Sequence, residues 1–233
     1  MSKSVLLKSS LAKKYWMGAT GLFLCLFLVG HLAGNLQLLI SPANGARDQF
    51  NLYGQFMTTN PLVKVLSYVT YISILFHAID GLLLAMQNRK SRPVRYQKVD
   101  ANANSSWASR NMAFLGTVML VFIVLHMLAF WKRMHWGPID TYTGPHGEQL
   151  KDLYSITIQA FKDPEMGMAV CMVYLVAMMA IMFHLLHGFQ SAFQSLGLRH
   201  AKYTPVIKMV GLGFAVFIPA LFAFIPFYVR FIL

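Results

Sequence analysis

Five long stretches of apolar residues with few charges dominate the pattern along this chain. They lie near residues 15–40, 64–87, 111–132, 166–190 and 207–230. Each is long enough to cross about 30 Å of hydrocarbon as an α-helix that rises about 1.5 Å per residue. The pattern predicts an all-α, integral membrane bundle of five transmembrane helices, with residues 1–233 forming one transmembrane domain.

A shorter amphipathic segment separates the first two spans. Its apolar face is formed by aromatic and methionine side chains, namely Phe50, Tyr53, Phe56 and Met57. This spacing is typical of one helical face, and the segment 46–57 ends before Asn60-Pro61. We therefore expect a short interfacial helix between spans 1 and 2, and an ordered outer cap in the longer loop 136–164.

Composition supports lipid rather than a soluble core as the surroundings of these stretches. Hydrophobic residues make up 57% of the chain and charged residues 12%, against about 45–50% and about 25% in soluble domains. The formal net charge of +12 raises the possibility of nucleic-acid binding. However, the basic residues lie at the ends of apolar runs, as membrane topology alone requires, so no nucleic-acid partner is expected.

The distribution of these basic residues predicts an orientation. A cytoplasmic N-terminus places thirteen of the twenty on the cytoplasmic face: Lys3, Lys8, Lys13, Lys14, Arg89, Lys90, Arg92, Arg95, Lys98, Arg110, Arg199, Lys202 and Lys208. The opposite face keeps the other seven: Arg47, Lys64, Lys132, Arg133, Lys151, Lys162 and Arg230. Because cytoplasmic loops carry the excess of Lys and Arg, we expect a multi-pass protein of the cytoplasmic membrane with its N-terminus inside.

Each of the first four spans carries a histidine in its apolar interior, and the fifth carries none. These residues are His31, His77, His126 and His184, with His187 one turn beyond the last. An ionisable group inside a span is costly and points to function. One isolated histidine is also explained as a hydrogen-bonded packing residue, and for His187 that interpretation is preferred. Four in one pattern favour a shared role.

Helix rise sorts the four histidines into two depths. His31 lies about 16 Å below Pro42 and His126 about 9 Å below Lys132, at about 1.5 Å per residue. By the same rise, His77 lies about 24 Å below Pro61. His184 lies about 27 Å below Met166. We therefore predict an outer pair, His31 with His126, and an inner pair, His77 with His184.

Two histidines facing each other across a helical bundle, twice, are the arrangement that two six-coordinate b-type haems need. The two cysteines, Cys25 and Cys171, form no C-x-x-C-H attachment motif, so the haems are expected to bind non-covalently. His31 and His126 would ligate the outer haem iron, and His77 and His184 the inner one. No catalytic residue is predicted in addition to these ligands.

Other side chains are predicted to support the two haems. Gly81 and Gly188 follow His77 and His184 by four residues, where a missing side chain would admit a porphyrin edge, and Gly34 is expected to do the same near His31. Ser73 is the predicted orienting partner of His77. Cations near the two faces are candidates for binding the propionates: Arg47, Lys132, Arg133 and His135 outside, and Arg89, Lys90 and Arg92 inside.

Several local sequences, taken in order, resemble the five-span, cytochrome b558-type membrane anchor of succinate dehydrogenases and quinol:fumarate reductases. They are Gly30-His31-Leu32 with Asn35, the Phe50-Asn51 to Phe56-Met57 stretch running into Pro61, Phe76-His77-Ala78 with Gly81, and Phe183-His184 with Gly188. The resemblance covers most of the chain. By its distance to Gly188, His184 rather than His187 matches the fourth ligand of that family.

This resemblance implies a di-haem membrane component of succinate:quinone oxidoreductase in a respiratory chain. Such a protein anchors a flavoprotein and an iron–sulfur protein on the cytoplasmic face and passes electrons between them and quinone, usually menaquinone. The chain would be part of an enzyme and perform no dicarboxylate chemistry itself. That agrees with a sequence that has no flavin fingerprint and no cysteine set for an iron–sulfur cluster.

Two other functions remain open at this point. The cytochrome b protein of another quinone-linked dehydrogenase would also ligate two haems, although its ligand motifs fit less well. A divalent metal transporter would use the same histidines as neutral nitrogen ligands. It should carry carboxylates beside them, but Asp80 is the only carboxylate well inside a span.

Overall fold

The computed structural model describes residues 10–91 and 105–233, and it is almost entirely helical there. Five of its helices are long and apolar enough to cross a membrane, so the predicted all-α class and the number of spans are confirmed. Five basic residues used to predict the orientation lie outside the described residues: Lys3, Lys8, Arg92, Arg95 and Lys98.

The described residues form nine α-helices. In chain order they are α1 (Ser10–Asn35), α2 (Ala46–Thr59), α3 (Pro61–Lys90), α4 (Trp107–Arg110), α5 (Met112–His126), α6 (Lys132–Trp136), α7 (Leu153–Lys162), α8 (Gly167–Ser195) and α9 (Thr204–Phe231). Two 3₁₀ turns, Leu36–Leu39 and Pro42–Asn44, follow α1, and a π-helical turn, Met127–Trp131, joins α5 to α6. The strands are β1 (Thr141–Thr143) and β2 (Gln149–Lys151), paired antiparallel.

The spanning helices extend beyond most of the predicted boundaries. The third is predicted to end at Lys132, but the π-helical turn and α6 carry it to Trp136. Apolar patterning detects the part of a helix that lies in lipid, whereas hydrogen bonding continues into polar flanking residues. At the start of the second spanning helix, α3, the side-chain oxygen of Asn60 accepts hydrogen bonds from the backbone N–H groups of Leu62 and Val63. These bonds fix the first turn of the helix.

Large apolar side chains on the long helices face outward. Leu26 and Phe217, for example, are each 69% exposed. In water this exposure would be unfavourable by about 25 cal/mol per Å² of apolar surface, but in lipid it carries no such cost. The outward surface of these helices is therefore suited to hydrocarbon.

Contacts divide the described residues into two compact units. Unit 1 comprises the described residues of Met1–Phe27, Val69–Val118 and Ala180–Phe217. Unit 2 comprises Leu28–Tyr68, Met119–Met179 and Ile218–Leu233. Each unit contains one of the two predicted histidine pairs.

Unit 2 contains an ordered cap built from α2, the β1–β2 hairpin and α7. Its core packs Phe50 of α2 against Tyr154 of α7, with ring centres 6.2 Å apart. The predicted amphipathic helix is thus present as α2, two residues longer than the segment 46–57. The loop 136–164, expected to be ordered, supplies the hairpin and α7.

A buried carboxylate ties this cap together. Asp152 is only 5% exposed. It accepts hydrogen bonds from Arg47 Nη2 at 2.6 Å and Asn51 Nδ2 at 3.0 Å, and from the backbone N–H of Ser155 at the start of α7. Burial raises the pKa of Asp152, but the hydrogen bonds from Arg47, Ser155 and Asn51 outweigh it and lower the pKa to about 2. The carboxylate therefore stays ionised and joins α2 to α7.

Candidate functional site

The outer pair comes together in unit 2. The ring centres of His31 on α1 and His126 at the end of α5 lie 5.8 Å apart, and the ring planes are nearly perpendicular at 88°. Phe222 of α9 lies against His31, with ring centres 5.6 Å apart. The fifth span thus contributes an aromatic ring to this site although it has no histidine.

A hydroxyl group orients His126. Its Nδ1 lies 2.8 Å from the hydroxyl oxygen of Tyr174 on α8. Phe122, one turn before His126, stacks on the imidazole and also contacts the Tyr174 ring edge-on at 4.9 Å. The π-helical turn that begins directly after His126 is a feature often found at functional sites. Contacts on several sides therefore hold this imidazole.

The inner pair comes together in unit 1. The rings of His77 on α3 and His184 on α8 have centres 6.1 Å apart and planes inclined at 61°. As at the outer site, the two side chains come from different helices. The structure thus brings together both predicted pairs, His31 with His126 and His77 with His184.

His77 also has a hydroxyl partner. Its Nδ1 lies 3.2 Å from Oγ1 of Thr20 on α1. The Thr20 hydroxyl donates to the backbone carbonyl of Trp16 at 2.7 Å, so its oxygen remains free to accept a hydrogen bond. His77 then donates from Nδ1 and keeps the lone pair of Nε2 available for a metal.

The fourth histidine is not explained as a satisfied packing residue. Nδ1 of His184 is buried and has no hydrogen-bond partner. Buried polar atoms are usually hydrogen-bonded, and leaving one unpaired costs about 1–3 kcal/mol. Gly188 lies beside this ring: a Cβ atom at Gly188 would be 3.7 Å from Cδ2 and 4.0 Å from Nε2 of His184. The edge that carries Nε2 therefore faces a position without a side chain.

Two glycines on α1 have roles that the sequence did not indicate. A Cβ atom at Gly21 would lie 3.2 Å from Cε1 of His77, which is closer than ordinary contact, so Gly21 makes room for that imidazole. The expectation that Gly34 admits a porphyrin edge near His31 is wrong, because the Tyr53 ring of α2 occupies the space over Gly34. Gly34 permits the close approach of α2 instead.

Two further predictions from the sequence, the partner of His77 and the role of Arg47, differ from what the structure shows. The orienting partner found for His77 is Thr20 on another helix, rather than Ser73 on the same helix. Arg47 is a candidate cation for an outer propionate by its place in the sequence, but its guanidinium is bonded to Asp152 through Nε and Nη2. Both differences arise because residues distant in sequence compete for the same partners.

The residues at both pairs fit a haem iron bound between them. Two imidazoles on opposite sides of one metal, each with a metal–nitrogen bond of about 2 Å, have ring centres about 6 Å apart. Two rings in direct edge-to-face contact also have their centres at about this distance, so the distance alone does not distinguish the two arrangements. At the inner pair, Nδ1 of His184 is buried without a hydrogen-bond partner, which simple ring packing leaves unexplained.

Charge is distributed unequally between the units. The basic residues of unit 1, among those the structure describes, are Lys13, Lys14, Arg89, Lys90, Arg110, Arg199, Lys202 and Lys208, and its described carboxylate is Asp80. Unit 2 contains the seven residues assigned to the opposite face, with six carboxylates: Asp48, Asp140, Glu148, Asp152, Asp163 and Glu165. Unit 1 is therefore strongly basic and unit 2 nearly neutral.

Across residues 10–91 and 105–233, no group of three or more His, Cys, Asp or Glu side chains is placed to hold a metal ion. The candidate sites therefore consist of histidine pairs.

Comparison of the chain with family models, curated proteins and solved structures gave no match.

Proposed function

We propose that this chain is the di-haem cytochrome b membrane component of a succinate:quinone oxidoreductase. In this role it anchors a flavoprotein and an iron–sulfur protein and carries electrons between them and quinone, with menaquinone as the expected partner. The observation that carries the proposal is the pairing of four histidines from four spans, with ring centres 5.8 and 6.1 Å apart, one pair in each unit.

In the proposed sites, two histidines from different helices would hold each haem. His31 and His126 hold the outer haem, and His77 and His184 hold the inner one. A b-type haem bound in this way supplies reversible one-electron transfer at its iron. With two histidines holding each haem, the sites would favour electron transfer over oxygen binding.

The protein side chains exclude water and fix the imidazoles. Aromatic rings surround the outer pair: Phe122 and Phe130 lie 5.7 and 5.3 Å from His126, and Phe222 lies beside His31. An apolar surrounding disfavours a change in net charge at the iron, so it tunes the reduction potential. At the inner pair, Thr20 and Gly21 fix the position of His77 from α1.

The proposed orientation follows from the charge distribution. All basic residues of unit 1 that the structure describes belong to the set expected on the cytoplasmic face, and all those of unit 2 belong to the other set. The inner pair lies in unit 1 and the outer pair in unit 2. We therefore propose that the N-terminus lies on the cytoplasmic side, where the basic residues offer a docking surface for the soluble partners.

Helix α2 is proposed to lie flat at the outer interface. Phe56 and Met57 on its apolar face are 52% and 37% exposed, although they lie outside the five spanning helices. Large apolar side chains on an amphipathic helix partition into the headgroup boundary. The packing of α2 against Asp152 and Tyr154 holds it there.

The experiment that tests the proposal uses the complex purified from detergent-solubilised membranes through a tag on this chain. Co-purification of a flavin-containing and an iron–sulfur protein is expected, and added succinate should reduce the haems. A succinate-dehydrogenase inhibitor should block that reduction. Haems that succinate cannot reduce, but formate or hydrogen can, would assign the chain to another quinone-linked dehydrogenase.

A metal transporter predicts a different result. The purified chain would then lack haem and would move a divalent cation across proteoliposome membranes, with loss of transport on replacing His77 or His184. Each candidate site offers two histidines, fewer protein ligands than a structural metal site usually has. We therefore favour the cytochrome.

A further inference from the structure

We propose that Thr20 and Tyr174 are positioning residues, each holding Nδ1 of one axial histidine so that its Nε2 faces the iron. This inference rests on the proposed function and deepens it. It assigns one hydroxyl to each haem, Thr20 to the inner one and Tyr174 to the outer one. Neither residue belongs to the set of ligands expected from the sequence.

The geometry at Tyr174 is that of a side chain fixed for this purpose. Phe122 and Phe161 contact its ring edge-on, with ring centres 4.9 and 5.1 Å away, and its hydroxyl oxygen lies 2.8 Å from His126 Nδ1. Tyr174 comes from α8 and His126 from α5. The hydrogen bond therefore fixes the ring from a helix other than its own.

At Thr20 the hydrogen-bond direction follows from the neighbouring carbonyl. The hydroxyl hydrogen points to the carbonyl of Trp16, 2.7 Å away, so Oγ1 accepts from Nδ1–H of His77. Protonation at Nδ1 selects the tautomer whose Nε2 carries the lone pair. A ligating histidine usually donates its other ring N–H to such an acceptor, which also raises the basicity of the ligand.

This arrangement predicts an effect on each haem separately. A more basic axial imidazole stabilises the ferric iron and lowers the reduction potential. Removal of the acceptor should therefore raise the potential of the haem it serves and leave the other unchanged. A residue with only a packing role would not produce such a selective shift.

The experiment is a redox titration of both haems in the purified holo-complex, with low-temperature electron paramagnetic resonance of the oxidised state. Tyr174→Phe keeps the packed ring and removes the hydroxyl, and should shift the potential and alter the signal of the outer haem alone. Thr20→Val should raise the potential and alter the signal of the inner haem alone. Thr20→Ser, which restores the hydroxyl, should return the wild-type potential and signal.

Tyr154→Phe is the matched control, because the Tyr154 hydroxyl in unit 2 is buried without a hydrogen-bond partner. It should change neither haem. The inference is overturned if Thr20→Val leaves the potential of the inner haem unchanged or lowered, if Tyr174→Phe leaves that of the outer haem unchanged, or if either variant shifts both haems equally. A wild-type chain without haem overturns the proposed function and this inference together, whereas two haems with unmoved potentials overturn only the inference.

Discussion

The imidazole rings of His77 and His184, which are 107 residues apart in sequence, lie with their centres 6.1 Å apart in unit 1. Neither helix contributes a second metal-binding side chain to this pair within the described residues. The same relationship recurs between His31 and His126 in unit 2. The repeated pairing, rather than any one histidine, carries the functional argument.

The pairing predicts which haem each substitution removes. His77→Ala or His184→Ala should lower the haem content from two to one per chain with loss of the inner haem, and His31→Ala or His126→Ala should remove the outer one. Each variant would remove one of the two proposed ligands of a haem. Pyridine haemochrome analysis and redox titration measure the remaining haem, with the exposed His146→Ala as control. Loss of both haems from every single variant would contradict independent sites.

Haem content also distinguishes His184 from His187 as the proposed fourth ligand. His184 is placed against His77, and its Nδ1 is buried without a partner, whereas no ring contact of His187 with another histidine is found among the described residues. His187→Ala should therefore retain two haems per chain while His184→Ala retains one. The opposite result would move the fourth ligand by one helical turn.

Gly21 should be intolerant of a side chain. A Cβ atom there would lie 3.2 Å from Cε1 of His77, so Gly21→Val should displace the imidazole and lower the occupancy of the inner haem while sparing the outer one. Gly213→Val is the control, because a Cβ atom at Gly213 meets only Phe217, at 4.0 Å. Equal haem loss in both variants would indicate a general packing defect.

The Asp152 network should make the cap sensitive to acid. Its pKa in the folded protein, about 2, lies below the ordinary 3.8, so the unfolded state binds more protons between about pH 4 and pH 2. The stabilisation is complete above pH 4 and is lost as the pH falls through this window. Limited proteolysis of the 136–164 loop across this pH range measures the loss.

Replacement of that carboxylate should reproduce the loss at neutral pH. Asp152→Asn leaves Arg47, Asn51 and the start of α7 without a full set of acceptors, and should destabilise the cap by about 1–3 kcal/mol. Asp140→Asn, at an exposed position in the same loop, should have little effect. Acid sensitivity that persists unchanged in Asp152→Asn would assign it to another group.

The sequence was sufficient to predict the five spans and which two histidines of the first four spans lie together in each pair. Long apolar runs identify spanning helices because lipid imposes both their length and their composition. A constant rise per residue then relates positions in different helices to a common depth. Those two regularities explain why His31 could be matched with His126 and His77 with His184.

The surroundings of the histidines could not be predicted in this way. Thr20 and Tyr174 reach their partners from other helices, and the rotation of one helix against another depends on packing that no local pattern records. Ser73 is the partner that sequence reasoning favours because it sees neighbours on the same helix. The role of Gly34 is missed for the same reason, since the ring that covers it belongs to Tyr53 of α2.

The measurement that tests the central claim most directly is the haem content of the chain purified under conditions that retain native cofactors. A reduced-minus-oxidised optical spectrum together with a pyridine haemochrome assay gives the type and the amount. The account predicts two b-type haems per chain, one for each histidine pair. A fully folded chain without haem, or with a single haem that survives replacement of His31, His77, His126 and His184 in turn, would contradict it.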